Sequence, residues 1–224
     1  MKDIFEYLKH NNYPGRGLIL GRSQDVPVIA YFIMGRSENS RNRIFCKDKD
    51  RIYTKAYDES KVKDPSLIIY NAVRKIGNTT IVTNGDQTDT VYESLKQGDT
   101  FKDALDTREY EPDGPNYTSR ISGLLHEDGS YEIAILKKEG DHCRRDYYEY
   151  PGENGCGHFI STYDHDGDPL PSFSGEPILI SIDDPECFAC DLWESLDHDN
   201  RISLYVKIGA MERIFNKHGG VENE

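Results

Sequence analysis

Residues Val26 to Met34 form a continuous apolar run, interrupted only by Pro27 and rich in β-branched and aromatic side chains; Gly35 ends it. Such a run, bounded by a turn residue, predicts a buried strand. The eight residues that follow, Arg36 to Arg43, are all polar and include three arginines, two serines and two asparagines, before Ile44 and Phe45 return the chain to apolar surroundings. A cationic loop pinned between two apolar anchors suits an anion. Arginine presents planar, bidentate donors to phosphate, and hydroxyl and amide groups fill the remaining acceptor sites. A solvated charged turn is the commoner fate of such a run. The anion site is the stronger reading here because the chain carries a formal charge of −13 and this is its densest arginine cluster.

That net charge argues against duplex DNA or an anionic membrane as partner, while an anionic small molecule would feel only the local field of a pocket. At 224 residues, with 30% charged and 36% hydrophobic residues, the chain fits one globular domain spanning residues 1–224. No apolar stretch approaches the ~20 residues of a membrane-spanning helix. Met1-Lys2-Asp3-Ile4 lacks the basic and apolar regions of a signal peptide, so a cytoplasmic location is expected. Five cysteines, at 46, 143, 156, 187 and 190, are an odd number in a chain large enough to build its own core, which points to free thiols. A homo-oligomer is left open.

The periodicities predict an α+β protein. A short helix is expected over residues 2–10, then strands Gly17–Gly21 and from Val26, joined as a hairpin through Arg22 to Asp25. Further strands are expected at 51–57, 66–73, 81–86, 120–125, 131–136, 144–150, 159–163, 178–182 and 201–208. Helices are expected from Asp86 to Leu95 and Thr100 to Leu105, with Asp or Thr capping each start, and from Asp183 to about Ser195 with Pro185 in the first turn. Tyr110 to Tyr117 reads as a proline-rich loop, and the polar tail from Asn216 is expected to fray. Cys187-Phe188-Ala189-Cys190 has CxxC spacing but no second ligand pair or redox setting, so two helical cysteines facing the core is the preferred reading. Asp164 to Asp168 reads as an exposed acidic turn, and the seven histidines show no metal-like spacing.

The segment Met34-Gly35-Arg36-Ser37-Glu38-Asn39-Ser40-Arg41-Asn42-Arg43 resembles the signature loop of the IMP cyclohydrolases of archaeal type and their bacterial relatives. Two more blocks follow in matching order. The first is Leu67 to Ala72 with Thr83 to Thr88. The second is Tyr110 to Asp113 with Asn116 to Ser122. The resemblance runs clearly from about Tyr13 to Ser122 and more loosely to Glu176. It departs where Thr-Pro-Arg-Ile is expected and this chain has Thr118-Ser119-Arg120-Ile121.

The resemblance implies a four-layer αββα sandwich similar to the Ntn hydrolases. It also implies closure of the purine six-membered ring of a formamido-imidazole carboxamide ribonucleotide, with loss of water, and no metal or other cofactor. It assigns phosphate binding to Arg36, Ser37 and Arg43, with Arg22 as a further donor and Asn42 within the loop. Asn84, Gly85, Asp86 and Gln87 would meet ribose or base edges, with Asn71, Asn116, Tyr117 and Arg120 also on the substrate. Glu111 is the expected proton-handling carboxylate and Tyr70 the donor toward the formyl oxygen. Two alternatives stand beside this. One is an Ntn-type amidohydrolase, disfavoured because the chain starts at Met1 and runs into a helix rather than exposing a terminal nucleophile. The other is a purine-nucleotide-binding protein without catalysis.

Overall fold

Strand β2 (Val26–Met34) lies inside a seven-stranded antiparallel sheet. Its side chains alternate between two covered faces, which explains why the run is apolar without a break in period. Ile29, Tyr31 and Ile33 point to a second sheet, while Val28, Ala30, Phe32 and Met34 point to helices. The computed structural model describes residues 1–62 and 64–223, the last four by backbone alone.

As expected, β1 (Arg16–Ser23) and β2 form a hairpin. Its two-residue turn, Gln24-Asp25, has φ of 48° and 62°, the mirror-image turn whose twist matches that of paired strands. The sheet continues outward through β10 (Cys156–Ser161) and β11 (Ile178–Ser181) on one side. On the other side it continues through β12 (Arg201–Ile208), β13 (Met211–Asn216) and β14 (Gly220–Asn223). The second sheet is a meander in chain order: β3 (Arg43–Asp48), β4 (Arg51–Ala56), β5 (Asn71–Ile76), β6 (Thr79–Thr83), β7 (Arg120–Leu125), β8 (Tyr131–Glu139) and β9 (His142–Tyr150).

Helices cover both outer faces. Ile4 and Leu8 of α1 (Ile4–Lys9) and Phe188 and Leu192 of α5 (Pro185–Ser195) pack with Phe32, Phe159 and Leu204 of the first sheet. Val91 of α3 (Gln87–Gln97) and Phe101 and Leu105 of α4 (Phe101–Asp106) pack on Ile81, Leu124 and Leu136 of the second. Between the sheets lie Leu18, Leu20, Tyr31 and Ile33 against Phe45, Ile52, Val82 and Ile121. Each such side chain contributes about 1.5–3 kcal/mol when fully buried. The result is a mixed α/β sandwich of two antiparallel sheets. No helix among the described residues is long and apolar enough to cross a membrane.

Several expectations are corrected. The arginine loop is not wholly irregular: α2 (Glu38–Arg41) is one turn, closed by reciprocal bonds between Ser37 and Ser40. The strand expected from Ser66 begins only at Asn71. Pro65 O accepts from Ile68 N and Ile69 N in a turn, and Thr54 Oγ1 accepts from Tyr70 N (2.8 Å) and donates to Ile68 O (2.7 Å). Leu67 and Ile68 are thereby freed from the sheet. Asp86 does not cap α3 with its side chain, which is spent on Arg108 and Arg120. The tail does not fray at Asn216: its Oδ1 accepts from Phe45 N (2.8 Å) and its Nδ2 donates to Phe45 O (3.0 Å), tying β13 across to the other sheet. Cys187 and Cys190 are exposed on α5 rather than turned to the core.

Candidate active site

At the β2–α2 end of the sandwich a cleft of about 360 Å³ opens between five pieces of chain. Tyr13, Gly15 and Arg16 come from the approach to β1, and Arg36, Ser37, Ser40 and Arg43 from the arginine loop. Leu67 and Ile68 come from the turn before β5. Glu111, Asp113, Asn116 and Thr118 come from the loop before β7, with Tyr163 and Leu170 beyond β10. Other surface hollows are as large, at about 410 and 390 Å³, so volume does not single this one out. Its chemistry does, because three arginines and a buried carboxylate share one wall system in an acidic protein.

The carboxylate is Glu111, 2% exposed. Arg16 grips it side-on, with Nη2 donating to Oε2 at 3.0 Å and Nη1 lying 2.9 Å from Oε1. Nη1 aims its bond elsewhere, at Asn84 O (2.9 Å), so Oε1 sits within ion-pair distance yet accepts no aligned hydrogen bond from the described residues. Burial pushes the Glu111 carboxyl above the ordinary carboxylate range, and the Arg16 guanidinium pulls it part of the way back. Behind this pair stands a fully buried polar layer. Asn84 donates to Ser119 O (2.9 Å) and accepts from Gln87 Nε2 (2.8 Å) and Ile121 N (2.9 Å), while Arg120 Nη1 donates to Gln87 Oε1 (2.7 Å). Gly85 is the residue this crowding demands, since an added Cβ would stand 2.7 Å from both Arg120 Nη1 and Gln87 Oε1.

The opposite side of the cleft is cationic. Arg43 is 3% exposed and donates from Nε to Ser40 O (2.8 Å). Among the described residues neither of its Nη groups meets an acceptor, and burial holds its pKa below the usual arginine value. A buried cation without a counter-ion is costly, so an anion in the cleft would relieve it. Arg36 lies nearer solvent, stacked 4.9 Å from the Tyr13 ring centroid and paired with Asp166. Tyr13 in turn stacks on Tyr163, whose hydroxyl meets Thr118 Oγ1 at 2.5 Å, and burial pushes Tyr163 up to about 12. The backbone at Gly15 has φ +78°, and a Cβ there would stand 2.2 Å from Thr162 Oγ1.

A family model described as IMP cyclohydrolase-like protein matches residues 13–213. Proteins named IMP cyclohydrolase from Methanosphaera stadtmanae and Methanococcus aeolicus are 31% and 30% identical over 157 residues, covering 68% of this chain and 74% of each relative. One from Methanococcus maripaludis is 34% identical over the same length, covering 75% of its own chain. The chain belongs to the IMP cyclohydrolase-like family.

Of the residues that family resemblance singled out, Arg36, Ser37, Arg43, Glu111 and Asn116 meet around the cleft. Ser37 spends its hydroxyl on capping α2, and Asn116 Oδ1 accepts from Leu170 N (3.1 Å). Tyr70 is buried one layer below: its hydroxyl is 2.7 Å from that of Tyr31, in the field of Arg16 and Arg43. Asn84, Gly85, Gln87 and Arg120 form the layer behind Glu111 rather than the cleft wall, and Asp86 is half-exposed, bridging Arg108 and Arg120.

Four residues lie elsewhere. Arg22 donates to Asp25 O in the β1–β2 turn. Asn42 bonds the Asp58 backbone in a different hollow, and Asn71 donates to Asp89. Tyr117, with φ 45°, packs edge-on to Tyr110 under Lys138. Sequence reasoning missed Arg16, Tyr13 and Tyr163. The one signal for Arg16 was a basic residue immediately before the apolar strand expected at Gly17–Gly21, and nothing local marks the two tyrosines.

Proposed function

We propose that this cleft closes the purine ring, converting 5-formamidoimidazole-4-carboxamide ribonucleotide to inosine monophosphate. In that reaction the carboxamide nitrogen attacks the formyl carbon of the same molecule, a C–N bond forms, and water leaves. No covalent enzyme intermediate is needed. Orientation of the two groups is the first requirement and supplies ~7–11 kcal/mol in well-aligned intramolecular reactions.

In this reading Arg43 and Arg36, held by the capped turn at Ser37, bind the phosphate, and Glu111 takes the proton from the attacking amide nitrogen. A general base in such a position is typically worth ~10²–10⁴-fold. Burial raises the pKa of Glu111 and so strengthens its carboxylate as a base, while Arg16 keeps it in place and limits that rise. The oxygen that departs as water develops charge in the field of Arg16, and the Tyr31–Tyr70 hydroxyl pair lies beneath it. Asn84, Gln87 and Arg120 support the site from behind.

The observation that carries this reading is the coexistence, in one cleft, of a buried unpaired Arg43 and a buried Glu111. The same reading takes the fold as the four-layer αββα sandwich of Ntn-hydrolase type, supported by helices on both outer faces, and takes one domain to span the chain. The test is to mix purified protein with the formamido ribonucleotide and follow purine absorbance in the ultraviolet. Appearance of inosine monophosphate at an enzyme-dependent rate supports the proposal. Tight nucleotide binding without turnover would leave only a binding protein.

A further inference from the structure

The acidic turn between Asp164 and Asp168 reads from sequence as a solvated bend, yet two of its carboxylates are committed. Asp166 is paired with Arg36 Nη1, and the second hydrogen of the same nitrogen goes to Gly167 O at 3.1 Å. The turn aims that carboxylate, since Gly167 N donates to Asp166 Oδ1 at 3.0 Å. Asp164 is occupied elsewhere, accepting from Ser174 N (2.9 Å) and Ser174 Oγ (2.7 Å). The Arg36 guanidinium is therefore held from two directions: Tyr13 lies against its face at 4.9 Å, and Nη1 has both donors spent. Its Nε and Nη2 meet no protein acceptor among the described residues.

We propose that Asp166 is a positioning residue for Arg36, fixing one edge of the guanidinium so that the remaining donors are already oriented for the nucleotide's phosphate. This rests on the phosphate assignment made above. An arginine has five N–H donors in a rigid fork, so committing two of them aims the other three. A free arginine on the rim samples many rotamers, and freezing them on binding opposes affinity. Asp166 removes that cost in advance. The opposite effect, repulsion between its carboxylate and the phosphate, is weakened by solvent, because the Arg36 and Asp166 side chains are 38% and 49% exposed.

The test compares Asp166→Asn, Arg36→Ala and the double variant on the formamido ribonucleotide and on the riboside lacking phosphate. Asp166 is half-exposed, so the fold should survive, and thermal melting checks that it does. For Asp166→Asn the expected result is a KM for the ribonucleotide raised about three- to tenfold, the range for immobilising one long side chain, with kcat within about twofold. Inhibition by inorganic phosphate should weaken in parallel, turnover of the riboside should be unchanged, and the double variant should be no worse than Arg36→Ala. A lowered KM would mean that Asp166 competes with the phosphate and would overturn the proposal. Equal losses on nucleotide and riboside would mean a general structural role and would overturn it as well. If Arg36→Ala itself leaves KM and phosphate inhibition untouched, the phosphate assignment fails and Asp166 falls with it. An unchanged Asp166→Asn beside a damaged Arg36→Ala defeats this inference alone.

Discussion

The two ends of the cleft are built differently. At one end Arg16 and Glu111 are both nearly inaccessible, bonded side-on, and backed by a saturated layer of Asn84, Gln87 and Arg120. At the other, Arg43 is buried with no counter-ion among the described residues, and Arg36 reaches solvent against Asp166. The first end has its charges paired as it stands, with Glu111 Oε1 the carboxylate atom left open toward the cleft, whereas at the second Arg43 lacks a counter-charge until an anion enters. A site that must do chemistry needs its proton-handling group fixed beforehand, while a site that must admit and release a phosphate needs donors left open. The difference predicts that changes at the first end damage rate and stability, and that changes at the second damage affinity.

The largest expected effect is from Glu111→Gln, which keeps shape and removes the base. We expect kcat to fall ~10²–10⁴-fold in the ultraviolet assay while nucleotide binding, measured by calorimetry, changes little. A variant with wild-type kcat would dissolve the contrast between the ends. Next is Arg16→Met. Breaking one partner of a buried pair destabilises by about 3–5 kcal/mol, readable in a urea titration. The sign for activity follows from the same pair. Arg16 lowers the Glu111 pKa, opposed by burial and Asp113 and assisted by Arg120, so its removal moves the acid limb of the kcat/KM profile to higher pH. An acid limb moving down would reverse the assignment.

Arg43→Gln should act at the open end. Hydrogen bonds to charged groups are worth about 1.5–3 kcal/mol, so KM should rise ~10- to 100-fold with kcat nearly preserved. Because the wild-type guanidinium is buried and unpaired, melting should show no loss of stability, in contrast to Arg16→Met. The smallest effect lies outside the cleft. His158 is stacked on Tyr150 at 3.5 Å, bonded to the Tyr131 hydroxyl, and held by burial down to about 4 from 6.5. Its neutral form is the folded one, so its contribution is full above pH 6.5 and is lost as pH falls through about 4. His158→Gln should flatten the pH dependence of melting in that window without changing KM.

The contrast between the ends also explains what could be read in advance. The arginine loop announces itself because its residues are adjacent in the chain, and Glu111 is reached through a family block with its own order. Arg16, Tyr13 and Tyr163 are brought to the cleft by strand register and by a loop some 150 residues away, information that no local pattern carries. Asn84, Gln87 and Arg120 carry the right polar character, and the resemblance pointed to them as substrate contacts. The fold instead gives their donors and acceptors to one another. Most strands were legible from period-two or continuous apolar runs, but β3 and β13, short and half polar, were not expected. The pattern also failed at Ser66 to Ile69, where a threonine hydroxyl replaces the ladder, and at Asn216, where a polar side chain does a strand's bonding.

The most direct test of the central claim is a crystal structure with inosine monophosphate bound. The account predicts the phosphate on the Nη groups of Arg43 and on Arg36, and the hypoxanthine ring turned toward Glu111 across the cleft. A nucleotide seated with its phosphate on Arg16, or in another hollow with the cleft unchanged, would contradict it.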